Sequence, residues 1–278
     1  WALHCPPLVL FILITVGYSA NALGGAGGPL AVLIIAIAAS ELGKAVSKET
    51  RVDILVTPLV TIFSGVGLSM LIAAPIGAAA SQVGTLIMWA TEQAPLVMGI
   101  LVSVIVGVAL TLPISSAAIC AALGLTGLAG GAAVAGCCAQ MIGFAVMSYK
   151  ENGVGGLVSQ GLGTSMLQMG NIVKNPRIWI APTLASAITG PLATCVFHFE
   201  MNGAAVSSGM GTCGLVGQIG VYTGWVSDIA AGVKTAITPM DWAAMVLLCF
   251  VLPAVLSVIF CEVERKMGWI KEGDLKLN

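Results

Sequence analysis

The chain has 278 residues, of which 58% are hydrophobic and only 8% carry a charge, and its mean hydropathy is +1.03. Soluble globular domains carry about a quarter charged residues, which they need to cover their surface. This composition therefore argues against a water-soluble domain. The formal net charge of −1 offers no basic surface, so nucleic acid is excluded as a partner.

Long stretches without charge predict an all-α membrane protein. Residues 1–40, 54–91 and 93–149 contain no Asp, Glu, Lys or Arg, whereas strands of a β-barrel alternate apolar and polar residues over about ten positions. The 35 glycines suit helices whose backbones approach closely in lipid. We therefore predict a polytopic integral membrane helix bundle with broken or re-entrant segments, in contact with membrane lipid.

The apolar stretches give the candidate membrane crossings in chain order. Because one crossing needs about 20 apolar residues, we assign crossings to residues 3–20, 22–40, 54–74, 94–112, 178–197 and 242–261. Residues 76–90 form a shorter apolar segment. Residues 114–147 predict two short helices, with breaks at Gly124, Gly127, Gly130 and Gly131. Broken helices at membrane depth must be buried in protein or line a wet cavity, which is typical of a carrier.

The positive charges predict the orientation. Lys44, Lys48 and Arg51 share one loop, and Arg265 and Lys266 begin a basic tail; both regions are expected on the cytoplasmic side. The turn at Glu92 has no Lys or Arg close by and is expected outside. An apolar run starts almost directly after Trp1, so we expect the chain to be processed or to lack upstream residues.

Metal and redox chemistry find little support among the eight cysteines. They lack the paired spacing of a zinc site, and nothing cationic lies near Cys137 and Cys138 in sequence to activate a thiol. We interpret the cysteines as buried small apolar side chains. No metal site and no cofactor is predicted.

Most polar residues that could recognise a ligand lie between residues 168 and 225. Asn171 and Asn175 belong to an amide-rich turn that Pro176 ends. A second turn contains His198, Glu200 and Asn202, and a glycine-rich segment, residues 209–220, contains Thr212 and Gln218. That segment includes the pattern G-x-G-x-x-G, but no strand precedes it, so a dinucleotide site is rejected. An unwound membrane segment and a glycine-lined helix contact both remain open.

Glu200 is the strongest candidate for chemistry. It lies between two apolar stretches, and ionisable groups at membrane depth are costly and usually functional. Together with His198 it could bind sugar hydroxyls or transfer a proton, although an ordinary external loop would show the same pattern. We predict Glu200 and His198 as catalytic, and Asn202, Thr212 and Gln218 as substrate-binding, with Asn171 and Asn175 as second choices. Lys174 and Arg177 are either headgroup anchors or attract a phosphate or an acidic partner.

Four stretches carry a resemblance to a known family. Residues 113–119 (PISSAAI), 124–131 (GLTGLAGG), 175–191 (NPRIWIAPTLASAITGP) and the glycine-rich segment resemble the enzyme IIC membrane components of the bacterial phosphotransferase system. The most similar subgroup is the stand-alone one that includes the perfringolysin regulatory protein. The resemblance covers residues 20–260. Members usually have further N-terminal membrane helices.

The resemblance implies a homodimeric sugar carrier in the bacterial cytoplasmic (inner) membrane. Residues 1–150 would form a scaffold and dimerisation half, and residues 151–278 a transport half with a re-entrant glycine-rich segment. The sugar would be phosphorylated by a phosphocysteine on a IIB protein. No cysteine here is followed by Thr-Arg, so this phosphodonor would be a separate chain. The Gly-Ile-Thr-Glu-Pro loop of glucose-type members is absent, so the roles of His198 and Glu200 rest on position and chemistry.

Three functions therefore remain compatible with the sequence. The first is a carrier that forms the membrane subunit of a phosphoenolpyruvate-dependent sugar phosphotransferase. The second is a membrane sensor that binds a ligand and signals through residues 41–53 or the tail. The third is a gradient-driven carrier that does not phosphorylate its solute.

Overall fold

The computed structural model describes residues 28–47 and 53–277, and these residues are folded almost entirely into helices. No strand occurs among them, apart from an isolated antiparallel bridge between Gly127 and Met201. Within the described part of the chain, four helices are long and apolar enough to cross a membrane: Val56–Gln93, Gly127–Met147, Pro176–Val196 and Pro239–Lys266. The prediction of an all-α integral membrane protein is confirmed.

The first of two compact units contains the described residues up to Thr85 together with Ala121–Gly124. Helix α1 (Gly28–Val46) is followed by α2 (Asp53–Leu68), which continues through a π-helical turn (Ser69–Ala73) into α3 (Ala74–Gln93). Ala31, Ile35 and Ala39 recur every four residues and form one buried cluster with Ala73. The proposed crossing 3–20, Lys48 and Arg51 lie outside the described residues.

Residues 54–74 and 76–90, which the sequence predicts as separate segments, form one continuous helix. The ring of Pro75 would clash with the carbonyl group of residue 71, four positions earlier, in a regular α-helix. That residue lies inside the π-helical turn Ser69–Ala73, where the wider turn accommodates the proline. Pro253 has the same relationship to the π-helical turn Leu247–Val251.

The second compact unit comprises Leu86–Cys120 and Leu125–Asn278. The helices from Pro95 onward are α4 (Pro95–Thr111), α5 (Ser116–Leu123), α6 (Gly127–Met147), α7 (Tyr149–Val158), α8 (Met169–Lys174), α9 (Ile180–Pro191), α10 (Val216–Ala230), α11 (Pro239–Val246) and α12 (Leu252–Lys266). Further π-helical turns, Ser159–Gly163 and Leu192–Val196, extend α7 and α9.

Helix α6 is the centre of this unit. Its 21 residues span about 31 Å at 1.5 Å per residue, close to the thickness of a bilayer core. Helices α4, α9 and α12 pack around it, and nearly all of its residues are buried. A Cβ atom on Gly136 would overlap the carbonyl oxygen of Ser103 in α4, so the close packing of small residues is present.

A buried amide connects these helices. Gln140 Oε1 accepts hydrogen bonds from Trp179 Nε1 (3.0 Å) and Thr111 Oγ1 (3.3 Å), while its Nε2 donates to Thr183 Oγ1 (3.2 Å) and Ser186 Oγ (3.5 Å). Gln140 is completely buried. Because each polar atom of the side chain has partners, the amide stabilises the helix contacts rather than weakening them.

The break between α5 and α6 lies where the sequence analysis predicted it, but it is shorter than predicted. Gly124 and Gly127 both have a positive φ, +63° and +62°, which glycine adopts without strain. Gly130 and Gly131, however, are helical, so α6 is a full-length crossing and not a short helix. Their lack of side chains serves close packing, since a Cβ atom on Gly131 would overlap the carbonyl oxygen of Phe199.

The cysteines are largely buried, as expected. Of the described ones, Cys120, Cys137, Cys138, Cys249 and Cys261 are buried. The expectation is wrong for Cys195, which is exposed, and Cys213 is partly exposed. Cys5 lies outside the described residues.

Candidate functional site

The two ends of the α6 bundle differ in charge. At one end, called the cavity end, Thr194 Oγ1 donates to Pro95 O (2.7 Å), and Gly127 pairs with Met201. At the other, called the basic end, Lys150 pairs with Glu262 (2.9 Å) and Arg265 with Glu151 (3.1 Å). The second unit contains eight Lys and Arg residues. Lys234 lies at the cavity end, and the other seven lie at the basic end.

A polar cavity of about 220 Å³ opens at the cavity end. The segment after α9 supplies His198 and Glu200 to its wall, α10 supplies Trp225 and Asp228, and Lys234 and Asp241 come from the loop before α11 and its first turn. Ligand sites commonly occupy 300–1,000 Å³. The cavity of this protein is smaller than that range, so it suits a small solute.

Asn202 joins the charged groups behind this cavity. Its Nδ2 atom donates one hydrogen bond to Glu200 Oε2 (3.1 Å) and another to Asp228 Oδ2 (2.9 Å). An amide nitrogen has two hydrogens, so each carboxylate receives one. The arrangement holds two acidic side chains from distant parts of the chain beside the same cavity.

Lys234 and Asp241 form the opposite wall. Lys234 Nζ lies 2.7 Å from Asp241 Oδ1, with about a quarter of each side chain exposed, and 5.1 Å from the ring centroid of Trp225. Asp241 also closes the start of α11 through a capping box with Thr238. Trp242 packs edge-on against Trp225 with 5.7 Å between ring centroids. These contacts fix the lysine by charge and by its position over the ring.

His198 and Glu200 both line the cavity, as the sequence analysis anticipated, although the described residues show no hydrogen bond between the two side chains. His198 has a φ of +43°, which is uncommon outside glycine. The segment is held beyond it by two backbone hydrogen bonds of 3.0 Å between Met201 and Gly127. The side chains of His198 and Glu200 are both exposed and therefore accessible to a solute.

Thr212 and Gln218 lie elsewhere, in the glycine-rich segment beside the middle of α6. Thr212 Oγ1 donates to Gly161 O at 2.6 Å, and Gln218 Nε2 donates to Cys138 Sγ at 3.2 Å. Residues 204–215 consist of short 3-10 turns before α10 begins. Residues 209–215 are thus unwound, whereas residues 216–220 are helical and Gly211 lies in close contact with α6. Each of the two interpretations of the glycines describes part of the segment.

Asn171 and Asn175 are at the basic end and bind the tail. Asn171 Nδ2 donates to Lys276 O (2.9 Å), and Asn175 Nδ2 donates to Trp269 O and Asp274 Oδ2, both at 2.9 Å. The guanidinium carbon of Arg177 lies 5.6 Å from the ring centroid of Trp269. The structure therefore separates the seven predicted site residues into three groups. Only His198 and Glu200 line the cavity, with Asn202 hydrogen-bonded to Glu200 behind it.

Among the cavity-lining residues that sequence reasoning missed are Trp225, Asp228, Lys234 and Asp241. A signal for them existed, because Lys234 is the only Lys or Arg between Arg177 and Arg265. A single cation in so long an apolar region has to find an acidic partner or water. Asp228 and Asp241 are its nearest acidic neighbours in sequence.

Comparison with known proteins gives the family. The sequence profile of the family described as "Phosphotransferase system, EIIC" matches residues 1–277, almost the whole chain. Neither the curated proteins nor the solved structures give a match. The profile does not distinguish subgroups, so the stand-alone subgroup stays a prediction. The chain belongs to the enzyme IIC family of phosphotransferase-system membrane components.

Proposed function

We propose that the chain carries a small polar solute, a sugar or sugar derivative, across the bacterial cytoplasmic membrane and delivers it to a separate IIB phosphodonor protein. Membership of the enzyme IIC family supports transport of this kind. The observation that carries the proposal is the polar cavity at one end of a membrane bundle whose other end is basic. A solute entry site and a cytoplasmic face are thereby assigned to opposite ends.

The orientation follows from the distribution of cations. Cytoplasmic segments of membrane proteins carry an excess of Lys and Arg. The basic end therefore faces the cytoplasm, and the cavity faces outside. The seven residues of the basic end are Lys150, Lys174, Arg177, Arg265, Lys266, Lys271 and Lys276. An acidic phosphodonor would approach this end, where phosphorylation takes place.

The cavity chemistry suits hydroxyl groups. Carboxylate oxygens only accept hydrogen bonds, and the hydroxyls of a sugar can donate them to Glu200 and Asp228. The ammonium group of Lys234 and the imidazole of His198 can donate to ring or hydroxyl oxygens. Because Glu200 lies opposite the cytoplasmic end in this orientation, we assign it the task of orienting the incoming solute, and phosphorylation occurs at the other end.

The two halves, 1–150 and 151–278, keep their proposed roles as scaffold and transport parts. Large apolar side chains are exposed on α1 to α3, among them Leu33, Ile37, Phe63, Met70 and Leu71. They suit contact with lipid or with a second copy in a homodimer. Cross-linking of single cysteines placed at these positions would test the dimer.

The test of the function is uptake of labelled hexoses, hexitols and N-acetylhexosamines by cells that express the full-length protein. Intracellular label is separated into free and phosphorylated forms, with a strain lacking the general phosphotransfer proteins as control. Label trapped as sugar phosphate only in the competent strain supports the proposal. Free label in both strains would indicate a gradient-driven carrier, and uptake of no solute would favour the sensor.

A further inference from the structure

The glycine-rich segment passes the middle of the central helix. Gly211, with a φ of +52°, lies so close to α6 that an added Cβ atom would be 2.7 Å from the Cβ atom of Cys137 and 2.9 Å from the backbone nitrogen of Cys138. Cys137 is the eleventh of the 21 residues of α6. The segment is therefore half-way between the cavity end and the basic end.

Helix α10 begins at this depth. Its 15 residues start at Val216, immediately after the unwound turns. The N-terminus of a helix carries a partial positive charge, which favours an oxygen atom of a ligand. In transporters, unwound segments and half-helix ends near the bilayer midplane commonly form solute sites. A helix start alone does not define a binding site, so a solute would also need a polar side chain with a free hydrogen-bonding atom here.

Gln218, in the first turn of α10, is a side chain of this kind. Only 8% of the residue is exposed, and its Nε2 atom donates to Cys138 Sγ. Its Oε1 atom is buried without any hydrogen-bond partner in the described part of the chain. Buried polar atoms are almost always hydrogen-bonded, and an exception needs a reason. Gln140, one helix away, has partners on both ends of its amide.

The surroundings of Gln218 carry no charge. Neither α6 nor residues 201–227 contains an Asp, Glu, Lys, Arg or His. A charged solute group would lose its hydration here without gaining an opposite charge, which is costly at membrane depth. A hydroxyl group, by contrast, can donate its hydrogen to a carbonyl oxygen and direct its own oxygen toward the helix start.

We infer that Gln218 Oε1 accepts a hydrogen bond from a hydroxyl group of an uncharged solute at a second station half-way through the bundle. The inference rests on the proposed transport function and adds a substrate class to it, neutral hydroxyl compounds. The unpaired oxygen of Gln218 is the acceptor that the solute hydroxyl group satisfies.

The experiment compares Gln218→Leu with Gln140→Leu in the purified full-length protein and in cells. Leucine removes an unsatisfied buried acceptor at 218 but a fully bonded amide at 140. We expect the melting temperature of Gln218→Leu to be unchanged or higher, and that of Gln140→Leu to fall. Uptake of the neutral sugar panel by Gln218→Leu should fall about tenfold, the effect of one lost hydrogen bond.

Solute class is tested by the shift in melting temperature of the wild-type protein with glucose, glucosamine and glucuronate as neutral, cationic and anionic probes. A shift with the neutral sugar that Gln218→Leu loses supports the inference. A lower melting temperature of Gln218→Leu, normal uptake by it, or an equal or stronger shift with a charged probe would overturn it. So would the absence of both uptake and shift for every neutral sugar. Free rather than phosphorylated label would contradict only the proposed coupling.

Discussion

Asn202 and Asp228 are joined by a hydrogen bond of 2.9 Å, although 26 residues separate them in the chain. The same amide nitrogen also binds Glu200. One neutral side chain thus holds two carboxylates at the wall of the polar cavity, where their negative charges would otherwise repel each other. Replacing this amide should therefore disturb both carboxylates at the cavity wall.

Asn202→Asp should abolish uptake and lower the free energy of unfolding by about 1–3 kcal/mol. The change removes both donated hydrogen bonds and adds a third carboxylate. Uptake of the labelled sugar panel and thermal unfolding in detergent measure the two effects. Asn175→Asp is the matched control, because it places the same change beside Asp274 at the opposite end. Equal loss of uptake in both variants would mean that the effect is on folding alone.

Glu200→Gln should abolish uptake and leave assembly intact. The glutamine keeps the size of the side chain, but it loses the charge that attracts hydroxyl hydrogens. Since Glu200 is exposed, we expect the free energy of unfolding to change by less than about 0.5 kcal/mol. Glu92→Gln, another exposed carboxylate, serves as the control for uptake. A Glu200→Gln protein that transports normally would remove this residue from the mechanism.

Lys234→Met should destabilise the protein by about 1–3 kcal/mol. The change leaves Asp241, whose side chain is about a quarter exposed, without its cation, which costs more than the loss of a fully exposed ion pair. Methionine retains an apolar stem over Trp225. Lys150→Met is the comparison: its pair with Glu262 is much more exposed, so its loss should destabilise the protein clearly less. Equal effects in denaturation of the two variants would contradict the assigned difference in burial.

The membrane class, the crossings near residues 178–197 and 242–261, and the proximity of Glu200 to Asn202 were accessible from sequence because they depend on local hydropathy and on short spacing. The far wall of the cavity was less accessible, because only the isolated cation Lys234 indicated it. Asp228 and Asp241 reach the cavity only because α10 and the loop after it fold back toward the segment after α9, and such long-range packing leaves no periodic signal.

Thr212 and Gln218 illustrate the same limit in another way. Their polar character suggested a shared site with Glu200, but the close approach of Gly211 to α6 holds the glycine-rich segment at the middle of the bundle. The sequence left open whether this segment is unwound or forms a glycine-lined helix contact. Its depth depends on which helix the glycines contact, and composition does not contain that information.

Asn175→Ala should release the tail. The wild-type amide donates to both Trp269 O and Asp274 Oδ2, and without it the backbone near Lys271 should open more often. We expect trypsin to cleave after Lys271 several-fold faster in inside-out vesicles, because proteolysis follows the population of the opened state. Ser81→Ala, which removes a hydrogen bond within α3, should leave the rate unchanged. Cleavage in right-side-out vesicles instead would reverse the proposed orientation.

Gly136→Val tests the packing of α4 against α6. A side chain at this position would overlap the Ser103 carbonyl group, and backbone can move aside only by separating the helices. Overpacking commonly costs about 1–3 kcal/mol. Because the overlapping neighbour here is a backbone atom, we expect a loss near the upper end of that range. Gly170→Ala in α8 is the control, since no atom lies within 4 Å of an added Cβ there, and alanine should stabilise that helix slightly. Thermal unfolding of the two variants in detergent measures the difference. Equal stability would mean that α4 and α6 do not approach as closely in the membrane.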